Sequence, residues 1–583
     1  MTPREELIYP VKKTIKDYLS KINISDFSDI VFSVPPDKKM GDFSFPLFQL
    51  AKKIKRSPVE LSAELKRYIL KESTFSGKVV NTGPYLNFYI KEEELVKKII
   101  LSIIREEELY GSGKIEKKVI IEHTSANPNG PFHIGRARNP IIGDTLARVM
   151  RHRGYDVTTE YYVNDVGLQM AVLKWGIDNI DPDELPPPDI DKIDHKLVRF
   201  YTKANVLMNS NKDVEERIRS ILKGYENELK LGGTVSERYN LKKLCAESLE
   251  GMKESLRKLN IETDSYFYES ELIRNADIEK IVNDIKNIKE LHTSNGLPLI
   301  VKLGDYIKGR NTDITLIRED GTSLYTTRDL AYHRNKLKRA DILINILGED
   351  HKFQSKVLKT LLSLMGDDDR KQIIPIFYSF VTLPEGKMST RKGSIVYLDD
   401  LVEEAVYRAK QEVIKRRGHI DEANRISQTV AVGAIRFNII RVQNDKNIVF
   451  KWEDALNMYG FSAPYVMYAH TRAVSILRKY GNKEWVPDSE KINMNKIRNP
   501  ASLELIRVMS EFPDVIKDCS ESMRTHLLPA YLFKLASTFN EFYRDVPVIG
   551  SDEEYENLTV TWSAKTVLSI GLNLLGIEAP EIM

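Results

Sequence analysis

Residues 124–169 read TSANPNGPFHIGRARNPIIGDTLARVMRHRGYDVTTEYYVNDVGLQ, and the alternation of apolar and loop-forming residues across them decides the fold. The lead-in Lys118-Val119-Ile120-Ile121 is apolar and β-branched, as a buried strand requires. Asn127-Pro128-Asn129-Gly130-Pro131 can continue neither a helix nor a strand. Ile141, Ile142, Leu146, Val149 and Met150 then share one helical face, and Gly154 is suited to stop that helix. Val157, Thr159, Tyr161 and Val163 alternate as strand residues do. The stretch is therefore a βαβ unit. Its polar loop lies at the carboxyl end of the first strand, where open α/β sheets take their ligands.

That loop ends in His133-Ile134-Gly135-Arg136, at a helix start. Free N–H groups and the positive dipole end suit an anion there, and Gly135 allows close approach to the backbone. A second polar stretch, Glu385-Gly386-Lys387-Met388-Ser389-Thr390-Arg391-Lys392-Gly393, follows the apolar run from Ile373 to Leu383. A cation-rich, glycine-flanked loop after a strand could neutralise a triphosphate as its charge develops. Taken singly, the first stretch is also an ordinary capped helix and the second a basic surface loop.

The bulk properties narrow the classes. At 583 residues the chain exceeds one core. Its 42% hydrophobic content supports globular domains, and a net charge of +3 excludes a general polycation, so RNA contacts would need local basic faces. The two cysteines, Cys245 and Cys519, give neither a disulfide framework nor a cysteine-based zinc site. No run of about 18 apolar residues is present and the start, MTPREE, has no apolar signal region. These features predict a cytoplasmic protein.

In chain order, residues 1–112 read as an N-terminal α/β module with aromatic segments around Phe43, Phe45, Tyr85 and Phe88. Residues 113–455 read as the nucleotide-binding domain, with a charged helical insertion over about 170–300. The sheet is expected to resume at Ile314–Arg318, with a hairpin turn at Glu319-Asp320-Gly321. Asp341–Leu347 reads as a buried parallel strand ending at Gly348-Glu349-Asp350-His351. Residues 456–583 read as a helix bundle.

The two polar stretches together, in this order and after strands, resemble the HIGH and KMSKS signatures of class I aminoacyl-tRNA synthetases. Ser125-Ala126-Asn127-Pro128, Gly130-Pro131, Arg138-Asn139, Ile142-Gly143-Asp144 and the ending Leu574–Met583 are similar to arginyl-tRNA synthetases in particular, and the resemblance covers nearly the whole chain. It implies a multidomain α/β protein: a Rossmann-like class I catalytic domain with stem-contact helices, an N-terminal tRNA-binding module and a C-terminal anticodon-binding helical bundle. It implies ATP-dependent attachment of L-arginine to tRNA(Arg) through an arginyl-adenylate. ATP with Mg²⁺ is the expected co-substrate, with no protein-bound structural metal, no membrane and a monomer.

By the same resemblance, His133, Gly135, Arg136, Lys387, Met388 and Ser389 would bind ATP, and His133, Arg136, Ser389, Arg391 and Lys392 would carry catalysis. Glu122, Ser125, Asn127, Tyr325, Asp329 and His351 would bind arginine. A guanidinium is a planar set of donors, so carboxylates such as Glu122 and Asp329 suit it and a two-carboxylate fork disfavours lysine. Asp329 at a helix start is otherwise a first-turn carboxylate. Phe43, Phe45, Tyr85 and Phe88 would stack on tRNA bases. Tyr459, Tyr465, Tyr468, Arg472 and Met583 would meet the anticodon.

Two positions depart from the class pattern: Arg136 replaces the second His of HIGH, and Thr390 the second Lys of KMSK. Arg136, with Arg391 or Lys392, is expected to supply the charge that Thr390 lacks. Other readings compatible with the residues are a catalytically weakened tRNA-binding interaction protein, a synthetase for another amino acid, and a standalone nucleotidyltransferase, the last disfavoured by the additional domains.

Overall fold

The computed structural model describes residues 1–24, 30–35, 37–291, 296–308, 312–367, 371–382, 396–417, 421–481 and 485–583. The chain forms two compact units, one of residues 1–112, 468–517 and 531–571, the other of residues 113–467, 518–530 and 572–583.

In the first unit the helix Pro3–Lys21 starts at a capping box between Thr2 and Glu5 and buries Val11, Ile15 and Leu19. Strands β1 (Phe43–Pro46), β2 (Lys78–Thr82) and β3 (Tyr85–Tyr89) form an antiparallel sheet in the order β1-β3-β2. Phe43, Phe45 and Phe88 are 6%, 2% and 0% exposed, with Phe32 edge-on or tilted against all three. This corrects the expectation that they offer ring faces to bases: burying three rings is what closes so small a sheet. Tyr85 does reach the surface, edge-on to an exposed Phe48 at 5.5 Å. Within the same unit Tyr110 stacks on Phe512, and Arg507 pairs with Asp42.

The second unit holds the parallel sheet. It is built from β4 (Lys118–Thr124), β5 (Asp156–Val163) and β6 (Ser265–Tyr268). After an antiparallel pair, β7 (Leu299–Lys302) and β8 (Asp313–Ile317), come β9 (Ile342–Gly348) and β10 (Gln372–Tyr378). The sheet order is β10-β9-β4-β5-β6, with every pairing parallel. The chain winds outward from β4 to β6, then returns to the other side of β4 as β9. The order thus reverses between β4 and β9, and a crevice opens outside their carboxyl ends. Two sequence expectations change. The strand at Asp313–Ile317 belongs to the separate β7–β8 pair rather than to the main sheet, and the stretch read as a helical insertion supplies the edge strand β6.

The helix Arg138–His152 lies against β4 at close range. A Cβ on Gly143 would fall 2.1 Å from His123 Cβ, so only glycine permits this approach. Gly154 has φ +84°, the left-handed conformation that ends the helix. The buried Asp144 on this helix pairs with the buried Arg436 at 2.5 Å, and Arg436 also donates to the carbonyls of Leu259 and Leu575. The ending of the chain is thereby tied to the signature helix.

Candidate active site at the carboxyl edge of the sheet

The loop after β4 is held from several sides. Tyr161 Oη donates to Ala126 O at 2.8 Å. Gly130 packs so tightly on Val198 that a Cβ would lie 2.6 Å from its Cγ2. His133 is exposed and turns its ring toward its own backbone: the Gly135 N–H donates to His133 Nδ1 at 3.0 Å. Burial, and then the Arg136 cation, hold the His133 pKa below the ordinary histidine value. A neutral ring accepting at Nδ1 carries its proton on Nε2, free to donate outward. Arg136 is exposed beside it.

Lys387, Met388, Ser389, Thr390, Arg391 and Lys392 lie outside the described residues. The chain on either side of them is described. Leaving them, Leu398 N donates to Phe132 O at 2.8 Å, and Ile134 N donates to Val396 O at 3.0 Å. The backbone following the second signature therefore pairs with the backbone of the first, over 260 residues earlier by the numbering. Arg138 is fully buried and donates to Ser379 O, ahead of them, at 2.6 Å, and to Lys446 O at 2.7 Å and Gln443 O at 2.8 Å, beyond them. Among the described residues no carboxylate pairs with it. Burial lowers its pKa to about 10, which still leaves it charged at neutral pH.

The second half of the site is a small cavity lined by Glu122, Asp329, His333, Asn345, Leu347 and His351. Glu122, two residues before the end of β4, forms the last β4–β9 pair, with Asn345, so both stand at the crevice at the point of reversal. Asp329 comes from the helix Tyr325–Arg339. Burial alone would raise the Asp329 carboxyl, but His333 at 3.1 Å, then Lys336 and His351, hold it below the usual carboxylate range. Two carboxylates converging on one cavity form a cation site.

Thus Glu122, Asp329 and His351 are brought together. Ser125 is exposed and Asn127 half-buried on the loop above β4, and Tyr325 is exposed at the helix start; these three do not line the cavity. Of the residues expected to meet the anticodon, Tyr459 is exposed and Tyr468 partly so. The Arg472 guanidinium lies over the Tyr468 and Tyr543 rings and donates to Asn540 Oδ1 at 2.6 Å. Tyr465 and Met583 are half-buried. His333, Lys336 and Asn345 escape the sequence reading. The available signal was periodic: positions 333 and 336 fall on the helical face of Asp329.

Comparison with known proteins follows this geometry. The model described as tRNA synthetases class I (R), catalytic domain, matches residues 99–452, more than half of the chain. The Arginine--tRNA ligase of Methanocella arvoryzae is 40% identical over 92% of this chain and 92% of its own. The chain belongs to the arginyl-tRNA synthetase family. Two further models match, the Arginyl tRNA synthetase N terminal domain at residues 10–90 and the DALR anticodon binding domain at 466–583. The Arginine--tRNA ligase of Methanocaldococcus jannaschii is 38% identical over 98% of each chain. The Thermus thermophilus arginyl-tRNA synthetase superposes with a TM-score of 0.80 at 25% identity, covering 98% of this chain and 99% of that one. The expected fold class of this synthetase-family chain is borne out: a catalytic domain with a Rossmann-like parallel sheet, together with an N-terminal domain and a C-terminal helical domain. Among the described residues no helix is long and apolar enough to cross a membrane.

Proposed function

We propose that this chain is an arginine–tRNA ligase, joining L-arginine to tRNA(Arg) in two steps. The arginine carboxylate attacks the α-phosphorus of ATP, forming arginyl-adenylate and releasing pyrophosphate. A terminal ribose hydroxyl of the tRNA then attacks the activated carbonyl, and AMP leaves. Such transfers depend on positioning and charge stabilisation rather than on a protein nucleophile. ATP enters with its Mg²⁺. The neutral His133 donates from Nε2 to phosphate oxygens, Gly135 lets the nucleotide lie close, and Arg136 adds the charge that Thr390 does not carry. Lys387, Met388, Ser389, Arg391 and Lys392 complete the phosphate side.

Glu122 and Asp329 take the guanidinium, with Tyr325 and His351 at its rim, while Ser125 and Asn127 hold the α-amino and carboxylate end. Tyr85, now paired with Phe48, is the base-stacking surface of the N-terminal module. Tyr459, Tyr465, Arg472 and Met583 serve the anticodon end. The domains are 1–112, 113–455 and 456–583, and the protein acts as a cytoplasmic monomer. The observation that carries this reading is the convergence of Glu122 and Asp329 in one cavity at the β4–β9 reversal, on the edge that bears the His133–Arg136 loop. Pyrophosphate exchange with arginine, lysine and citrulline, each with and without tRNA(Arg), tests it. Exchange with arginine alone is expected; equal exchange with lysine would refute the two-carboxylate reading.

A further inference from the structure

The helix Tyr325–Arg339 presents Asp329, His333 and Lys336 on one face, and Lys336 is completely buried. A buried ammonium is costly unless its N–H groups find acceptors. Lys336 Nζ has three: Glu122 Oε2 at 2.6 Å, Asn345 Oδ1 at 3.0 Å and His333 Nε2 at 3.4 Å. The Tyr332 ring lies 4.1 Å from the same nitrogen.

An ammonium only donates, and this gives the network its direction. Asn345 must turn its oxygen to Lys336, which leaves its amide nitrogen facing His333 Nε2 at 2.7 Å. Nε2 is then an acceptor, so the His333 proton sits on Nδ1, which lies 2.9 Å from the Asp329 backbone oxygen and 3.1 Å from Asp329 Oδ1. One lysine thus orients Glu122 directly and, through Asn345 and His333, the helix turn that carries Asp329, whose carboxylate also lies beside the His333 ring. It also sets the charge. Glu122, Asp329 and Lys336 together carry one net negative charge, the complement of a single guanidinium. Among the described residues, Glu122 Oε1 and Asp329 Oδ2 remain available to further donors.

We infer that Lys336 is a positioning and specificity-determining residue for arginine, holding Glu122 and Asp329 in place and limiting the cavity to one further cation. This rests on reading Glu122 and Asp329 as the guanidinium's partners. The test is steady-state pyrophosphate exchange on the full chain with Lys336→Met, Glu122→Gln and the double variant. Loss of one charge-assisted contact is expected to raise the arginine KM of Lys336→Met at least about tenfold. The ATP KM should be unchanged and kcat should stay within about threefold. Because the lysine acts in part through Glu122, the rise in the double variant should fall short of the product of the single rises by at least about threefold.

The double variant buries a neutral pair, so it also serves if Lys336→Met alone fails to fold; its arginine KM must then be no more than about threefold above that of Glu122→Gln. An arginine KM within twofold of wild type in Lys336→Met overturns the inference, as do equal rises for ATP and arginine, or strictly multiplicative effects in the double. Calorimetric titration of the wild type with arginine separates the two levels. A wild type that does not bind arginine overturns the reading beneath the inference, whereas unchanged variants of an arginine-binding wild type overturn Lys336 alone.

Discussion

Replacing Arg138 with methionine removes a buried guanidinium whose work is structural. It donates to the carbonyls of Ser379, Gln443 and Lys446, and so joins the signature helix to the segment entering the second signature and to the turn at 443–446 well beyond it. Methionine fills similar volume but donates nothing. Three carbonyls lose their donor, each at a cost of about 1–3 kcal/mol where water does not replace it. Release of the charge from burial offsets part of this, since burial already disfavours the charged form. A net loss of about 3–5 kcal/mol follows for the unit containing the sheet. Urea unfolding monitored by fluorescence measures it, and the pyrophosphate-exchange rate reads the consequence. Because the two signature stretches must be held together, kcat should fall at least about tenfold, while calorimetric arginine affinity stays within about twofold. A variant within 1 kcal/mol of wild type that exchanges at the wild-type rate would show that Arg138 does not organise the site.

Asp329→Asn should raise the arginine KM by about 10–100-fold, the loss of one charge-assisted hydrogen bond, with little change in the ATP KM. His123 is buried and its pKa is lowered to about 4, by burial first. Its contribution to stability is therefore present above the ordinary histidine value and is lost as pH falls toward 4. At pH 5 this one group should cost about 2 kcal/mol relative to pH 7, and His123→Asn should flatten the unfolding profile by that amount; an unaltered slope would contradict the burial argument. Arg136→His should slow adenylate formation, and an equal or faster burst would remove Arg136 from the phosphate site. Tyr85→Ala should raise the KM for tRNA about tenfold without moving that for arginine, because stacking of one base on a ring is worth about 1–3 kcal/mol.

How much of this was legible beforehand depends on the range of the interaction involved. The βαβ unit was readable because each part has a local signal: the β-branched run into β4, the face from Ile141 to Met150, and the stop at Gly154. β9 was legible as a continuous apolar run. β6 was not, since Ser265–Tyr268 is a short edge strand between helices, half-exposed along its whole length. The partner of β8 was missed because hairpin pairing with β7 and continuation of a large sheet leave the same pattern in one strand. Aromatic type alone could not separate the buried Phe43, Phe45 and Phe88 from the exposed Phe48 and Tyr85; neighbours distant in sequence decide that. At the site, Glu122 and Asp329 were found through family motifs. Lys336, 214 positions from Glu122, carries no motif, and its role appears only when the helix is laid beside the β4–β9 reversal.

The measurement closest to the central claim is aminoacylation itself, with the purified chain, Mg²⁺-ATP, radiolabelled arginine and tRNA(Arg). The account predicts label on the tRNA 3′ end through an alkali-labile ester, dependent on ATP and abolished by Glu122→Gln with Asp329→Asn. Stable tRNA binding with no ester-linked arginine under any of these conditions would contradict it.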